Sequence, residues 1–269
     1  MVISKDSNSN KLPPRIYESW PDLVELSRPK KIVEFGSWHG RGTVGLLEVS
    51  RLAGLNPLIL CVDTWLGSEE HWSGKYQGEG NEWAHSQLEI VEGEPQFIES
   101  FRSNIAHHRF EDQVRILRCP TKFSSSVLRS SWADADLVYV DADHAFNAVY
   151  QDLRLIKNCC PHALICGDDW NWPGVKLAVS VFSIRYGLNV FIDYNEINTQ
   201  WVLIDPAKKS LEVVVRTKGW HLVKPRMTSF KLLFLHLLHV FRLHIRLNSV
   251  RNNSKRHSSQ TPDLAMKNQ

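Results

Sequence analysis

The chain has 269 residues, 43% of them hydrophobic, enough for a full core in one large domain plus an appendage. Its start, MVISKDSNSNK, is polar and unlike a signal peptide, and its five cysteines lack C-x-x-C spacing, as expected of reduced thiols in a cytoplasmic protein. The net charge of +3 is uneven: from Ala207 onward 13 Lys and Arg face 2 Asp and Glu (+11), which leaves 19 against 27 (−8) before it. An acidic body thus carries a basic tail, and without a nucleic-acid-binding motif that tail gives no reason to expect DNA or RNA as a partner.

Residues 1–29 form an N-terminal extension, and the regular pattern begins after them. Apolar runs without alternation, the mark of strands buried on both faces, fall at 31–36, 57–63, 114–119, 136–141 and 163–167. Helical patterns separate them near 42–53, 95–108, 123–130, 146–158 and 174–186. Strand and helix in alternation predict right-handed crossovers and a doubly wound α/β sheet. Two more strand-like runs, 189–194 and 200–204, have only a short polar link between them and should pair as an antiparallel hairpin.

The connection 64–94 is far longer than the usual four to six residues and reads as a lid or substrate loop. It holds Trp65, His71, Trp72, Tyr76 and Trp83 among glycines 67, 74, 78 and 80. Such aromatics suit a ring-shaped or sugar substrate, or they simply pack the loop down. From Ala207 the basic extension contains an amphipathic helix over 228–250, with Lys231, His239, Arg242 and Arg246 on one side. Its charges argue against a bilayer span. It fits docking on the acidic body or on a second subunit of a homo-oligomer, or peripheral contact with an anionic membrane surface.

Chemistry concentrates where strands end, because ligands in open α/β sheets bind beyond the strands' carboxyl ends. The first strand runs into Glu34-Phe35-Gly36-Ser37-Trp38-His39-Gly40-Arg41-Gly42-Thr43, and the second ends at Asp63-Thr64. A glycine turn opening a helix lets a ligand approach backbone N–H groups, and a carboxylate ending the second strand suits ribose hydroxyls. Trp38 stands where a dinucleotide fingerprint needs glycine, which disfavours a nicotinamide oxidoreductase. The fourth strand ends Asp141-Ala142-Asp143-His144 and the fifth Gly167-Asp168-Asp169-Trp170. Asp141, Asp168 and Asp169 should converge, raise one another's pKa, and be relieved by a hard divalent cation. Plainer roles stay open: Asp141 as a helix cap, the Asp pair as a turn before Pro173, His144 as a solvated helix start. Asp143 reads as structural, and Asp152, mid-helix, as solvated.

The pattern E-x-G-x-x-x-G-x-G-T, Glu34 to Thr43, resembles motif I of class I S-adenosylmethionine-dependent methyltransferases. The stretches D-A-D-H and G-D-D-W resemble metal-dependent O-methyltransferases of the macrocin (methyltransferase 24) type, as does V-D-T-W-L-G-S-E-E-H-W at the start of the long loop. The resemblance covers about residues 30–206. It implies a Rossmann-like methyltransferase sheet of five parallel strands plus the antiparallel hairpin, followed by the basic helical tail. It implies S-adenosylmethionine contacts from Glu34, Gly36, Ser37, Trp38, Gly40, Thr43, Asp63, Thr64, Thr121, Ser124 and Asp141, with Glu34 near the amino-acid end. It implies Mg²⁺ or another divalent cation on Asp141, Asp168 and Asp169, His144 as general base, and a site braced at Asp152. The expected reaction is methyl transfer to a hydroxyl of a sugar, glycan or glycosylated natural product. The chain departs from the pattern after strand three, where Arg118-Cys119-Pro120-Thr121-Lys122-Phe123-Ser124 has no carboxylate for the adenine. Two other functions compete: a metal-independent small-molecule methyltransferase, and a membrane-surface binding module on a degenerate Rossmann domain.

Overall fold

The computed structural model describes residues 13–68, 71–72, 88, 90–193 and 199–225. The five apolar runs form parallel strands β1 (Lys31–Phe35), β2 (Leu58–Asp63), β3 (Val114–Arg118), β4 (Leu137–Val140) and β5 (Leu164–Gly167). Between them lie α2 (Arg41–Leu52), α3 (Phe97–His107), α4 (Ser125–Ser131) and α5 (Phe146–Cys159), with α6 (Pro173–Tyr186) after β5. The central strands are apolar because helices cover both faces of the sheet, and all four residues of β4 are buried, whereas the edge strand β3 carries Arg115 and Arg118 and is largely exposed. Gly187, at φ +66°, ends α6 in the left-handed conformation.

The hairpin forms as expected from β6 (Asn189–Asp193) and β7 (Gln200–Ile204), and β7 inserts antiparallel beside β5. One short strand more, β8 (His221–Val223), pairs antiparallel with β6. The sheet order is β8-β6-β7-β5-β4-β1-β2-β3. The chain leaves β1 toward β2 and β3 and later returns to β4 on the other side. That reversal opens a crevice above the carboxyl ends of β1 and β4.

The packed unit is wider than the 30–206 span expected from the sequence. Before β1, helix α1 (Trp20–Ser27) buries Trp20, Leu23 and Val24. After β7, helix α7 (Lys209–Thr217) buries Val215, and Trp220 follows it into the core. The two additions clasp each other: Lys218 Nζ lies 2.9 Å from Asp22 and 2.8 Å from Glu25, and Trp220 Nε1 donates to Asp22 at 3.1 Å. One compact unit therefore runs on to Pro225. Among the described residues no helix is long and apolar enough to cross a membrane. The helix expected at 228–250 lies outside the described residues, as do Tyr76, Trp83 and glycines 74, 78 and 80 of the long loop.

Candidate active site

A cavity of about 480 Å³ opens above β1, β2 and β4. Its size lies within the roughly 300–1,000 Å³ typical of small-molecule sites. One side is the loop after β1. Gly36 turns there at φ +84°, and a Cβ on it would stand 1.9 Å from the carbonyl oxygen of Asp141. Only glycine lets this turn approach the end of β4 so closely. Trp38 follows at φ +49°, stacked on His71 with ring centroids 4.4 Å apart, and both line the cavity.

Two carboxylates hold this loop in shape. Asp63 Oδ2 accepts the backbone N–H groups of Ser37 (2.8 Å) and Trp38 (2.9 Å), while Oδ1 accepts that of Trp65 (2.8 Å). Glu34 is buried beneath the turn, where its Oε2 accepts Ser37 Oγ (2.6 Å) and Thr43 Oγ1 (2.5 Å). Burial raises the Glu34 pKa to about 7 against the pull of those hydroxyls.

The opposite wall comes from the segment after β3 and from α5. Thr121, Lys122, Asn147, Gln151 and Asp152 line it. Asp152 is buried, accepts Thr121 Oγ1 at 2.6 Å, and is raised to about 7, chiefly by burial. Asp143 also faces the cavity, with Oδ1 accepting the N–H of Ala145 at 2.7 Å.

Beside the cavity, donor atoms of Asp141, His144 and Asp169 all lie within 4.8 Å of one another. His144 Nε2 sits 2.8 Å from Asp169 Oδ2, and its ring stacks on Trp172 at 4.5 Å. Burial, then Asp168 and Asp169, push the Asp141 pKa well up. Asp168 is bound elsewhere. Its Oδ2 takes the Tyr17 hydroxyl and lies 3.2 Å from Arg15, and its Oδ1 takes Gln200 Nε2 (2.6 Å) and the N–H of Asp169 (2.7 Å).

A protein-family model described as a methyltransferase domain (Methyltransf_24) matches residues 33–170, just over half of the 269-residue chain. The chain belongs to that family. It is a methyltransferase that uses S-adenosylmethionine. No curated protein matches it. Solved structures similar in fold include the S-adenosylhomocysteine (SAH)-bound methyltransferase PaMTH1 of Podospora anserina, with 16% identity over 75% of this chain and 83% of that one and a TM-score of 0.46. An O-methyltransferase of Bacillus cereus in complex with SAH has 13% identity over 76% and 93%, TM-score 0.46. TomG of Streptomyces achromogenes, an O-methyltransferase of tomaymycin synthesis in complex with S-adenosylmethionine, has 15% identity over 69% and 77%, TM-score 0.44.

In this methyltransferase the expected cofactor residues divide into two sets. Gly36, Trp38, Asp63, Thr64, Thr121 and Asp141 line the cavity. Glu34, Ser37, Gly40, Thr43 and Ser124 are buried behind its wall. Glu34 braces the loop from beneath, its Oε2 accepting Ser37, Thr43 and Cys61, and it is not among the residues that line the cavity. Gly40 packs on Phe101, and Ser124 Oγ donates to the carbonyl of Thr121 at 2.7 Å. Of the expected metal ligands, Asp141 and Asp169 group with His144, and Asp168 is engaged by Tyr17, Arg15, Gln200 and the Asp169 amide.

Sequence reasoning missed Arg15, Tyr17 and Gln200 around Asp168, and it missed the orientation of Asp152. The last had a signal: Asp152 is three residues after Val149 and four before Ile156, on the buried face of α5. Its carboxyl stands against the loop after β3, where the sequence offered none. Trp170, after β5, is buried, whereas Trp38 lines the cavity.

Proposed function

We propose that the protein is an O-methyltransferase that methylates a hydroxyl of a sugar-containing small molecule, assisted by a divalent cation. One observation carries this reading: Asp141 belongs both to the cavity lining and to the Asp141–His144–Asp169 cluster. A donor in the cavity and an acceptor hydroxyl at the cluster would therefore meet at one residue.

The residues present fit S-adenosylmethionine. Asp63 closes the second strand with its oxygens oriented by three backbone amides, and Oδ1, which accepts only one of them, keeps acceptor capacity for a ribose hydroxyl. Trp38 supplies an aromatic wall. They also fit a divalent cation, because two carboxylates and an imidazole are hard and borderline donors close enough to share one ion. Bound there, the donor supplies an activated methyl group, and the cation supplies Lewis acidity that lowers a hydroxyl's pKa. The protein's part is orientation and proton uptake. Trp38 and His71 line the cavity, and with the cation in place the basic atoms for the departing proton are the carboxylate oxygens of Asp141 and Asp169 that the ion leaves unused.

A metal-independent transferase is the second reading. The 2.8 Å contact between His144 and Asp169 favours it, since a carboxylate-oriented imidazole is a competent base at neutral pH. Calorimetric titration of SAH into the purified protein tests the donor, with micromolar binding expected. Incubation with S-adenosylmethionine and a panel of sugars and glycosides, read by mass spectrometry, tests the acceptor. A product that gains one methyl in place of a hydrogen supports the proposal. A protein that does not bind the nucleoside at all ends it.

A further inference from the structure

The ligand set expected from the sequence was Asp141, Asp168 and Asp169, with His144 left free as the base. The arrangement of side chains points to a different set. We infer that a divalent cation in this protein is held by Asp141, His144 Nε2 and Asp169, and that the N-terminal strap around Arg15 and Tyr17 keeps Asp168 out of the set. This rests on the methyltransferase reading above and gives its cation a specific seat.

The exclusion of Asp168 is built in depth. Both of its oxygens are engaged, by Tyr17 and Arg15 on one side and by Gln200 and the Asp169 amide on the other. The Gln200 amide has little freedom to turn away. Its Oε1 already accepts Tyr139 Oη at 2.7 Å and Trp20 Nε1 at 3.3 Å, which leaves Nε2 aimed at Asp168. The strap is equally fixed. Arg15 N donates to the Arg41 carbonyl at 3.0 Å, and Arg41 Nε returns a bond to the Pro13 carbonyl at 2.9 Å. A Cβ on Gly45 would lie 1.9 Å from the Arg15 carbonyl oxygen, so the strap lies directly on α2. Seating a cation on Asp168 would break an ion pair and at least one buried hydrogen bond, each replaced only at a cost.

The inclusion of His144 is geometric. Donors bound to one small divalent ion at about 2.1 Å lie about 3.0 Å apart at right angles and about 4.2 Å apart when opposite. His144 Nε2 and Asp169 Oδ2, 2.8 Å apart, have the spacing of neighbouring ligands. The third donor, on Asp141, lies within 4.8 Å of both, close enough for side-chain rotation to complete the set. Asp141 accepts no hydrogen bond within the described residues and faces the cavity, which leaves both its oxygens for an ion. Asp169 holds φ +62°, a left-handed conformation that points its carboxylate at His144 while its own amide is tied to Asp168. Asp168 is then the anchor that sets Asp169, and Asp169 is the ligand. An imidazole among the donors shifts preference from Mg²⁺ and Ca²⁺ toward Mn²⁺, Fe²⁺, Co²⁺ or Zn²⁺.

Mn²⁺ itself is the probe. Its affinity is measured by calorimetry, and its coordination by electron spin echo spectroscopy, which detects directly bonded nitrogen. The wild-type protein should show ¹⁴N modulation and bind Mn²⁺ at least about tenfold more tightly than Mg²⁺. In His144→Gln the modulation should vanish and the preference shrink to about threefold or less. Asp141→Asn and Asp169→Asn should each weaken Mn²⁺ binding by about ten- to a hundredfold. Tyr17→Phe should stay within about threefold of wild type, and Asp168→Asn, which alters only the anchor of Asp169, should cost at least about threefold less than Asp169→Asn. The inference is overturned if Mn²⁺ binds without nitrogen coupling, if Asp168→Asn costs as much as Asp169→Asn, or if Mn²⁺ does not bind. SAH titration of the same samples separates that failure from failure of the methyltransferase reading, which predicts nucleoside binding in every case.

Discussion

The two walls of the cleft each hide a carboxyl group, and they use it differently. Glu34, under the loop after β1, has three donors on one oxygen and does not reach the cavity. Asp152, in the wall formed by α5, has one side-chain donor, Thr121, and does line the cavity. Burial raises both to about 7. Equal titration thus conceals unequal roles. The first carboxyl fixes a backbone turn, and the second presents an adjustable polar face to a ligand. The first wall should therefore fail abruptly when disturbed and the second gradually.

Gly36→Ala gives the largest expected effect. The new methyl group would meet the Asp141 carbonyl at 1.9 Å in a conformation, φ +84°, that side chains seldom adopt. Either β4 moves or the turn reverses, and both destroy the approach of the loop to the acidic cluster. Denaturant unfolding should show a loss of at least about 4 kcal/mol, with SAH binding abolished. A variant of normal stability and normal SAH affinity would remove the claim that the first wall is rigid.

Glu34→Gln probes the same wall through pH. The Glu34 pKa is 4.5 in its unperturbed state and about 7 in the folded protein. Because the folded form binds the proton more tightly, this group's contribution to stability is complete below pH 4.5. It declines as pH rises toward 7 and is flat above that. The decline amounts to roughly 3 kcal/mol. Glutamine keeps an oxygen for Ser37 and Thr43 and has no proton to lose, so this part of the pH dependence should disappear. Unfolding curves for both proteins between pH 4.5 and 8 should converge at the acidic end and diverge toward the alkaline end, with the variant the more stable there. Parallel curves would mean that Glu34 does not titrate in this window.

The contrast between the walls also marks what was readable in the sequence. The five parallel strands and their helices were visible because the inner strands, covered on both faces, are nearly continuous apolar runs, and the edge strand β3 keeps Val114, Ile116 and Leu117. Residues at strand ends were visible too, because topology alone sends Gly36, Asp63, Asp141 and Asp169 to one edge. What stayed hidden was direction and long-range pairing. Glu34 and Asp63 both looked available to a nucleoside, yet Glu34 turns beneath the loop, since the hydroxyls of Ser37 and Thr43 are there to receive it. Asp168 and Asp169 looked equivalent as neighbours. Their difference depends on Tyr17, 151 residues away, and on Gln200, 32 residues away, and no local pattern announces either contact. Helix α7 and strand β8 were lost inside a segment whose charge balance suggested an appendage, although Val215 and Trp220 carry it into the core.

Thr121→Val makes the smallest change and tests the second wall most finely. Valine has nearly the same shape, so packing at this partly buried position is preserved and only the bond to Asp152 is lost. That bond lowers the Asp152 pKa against the stronger upward effect of burial. Its removal should accordingly matter more to the ionised carboxylate than to the neutral acid. Below pH 7 the loss should be about 1 kcal/mol, the value of an ordinary hydrogen bond, and above pH 7 about 2 kcal/mol, as for one to a charged group. The destabilisation therefore grows with pH, in a window set by Asp152 itself. Occupancy should discriminate as well. Asp152 lines the cavity and Glu34 does not, so a nucleoside bound there as proposed should, at saturating SAH, alter the penalty of Thr121→Val while leaving the pH signature of Glu34 unchanged. If SAH changes both or neither, the two carboxyls are not divided between loop and ligand, and the distinction between the walls fails.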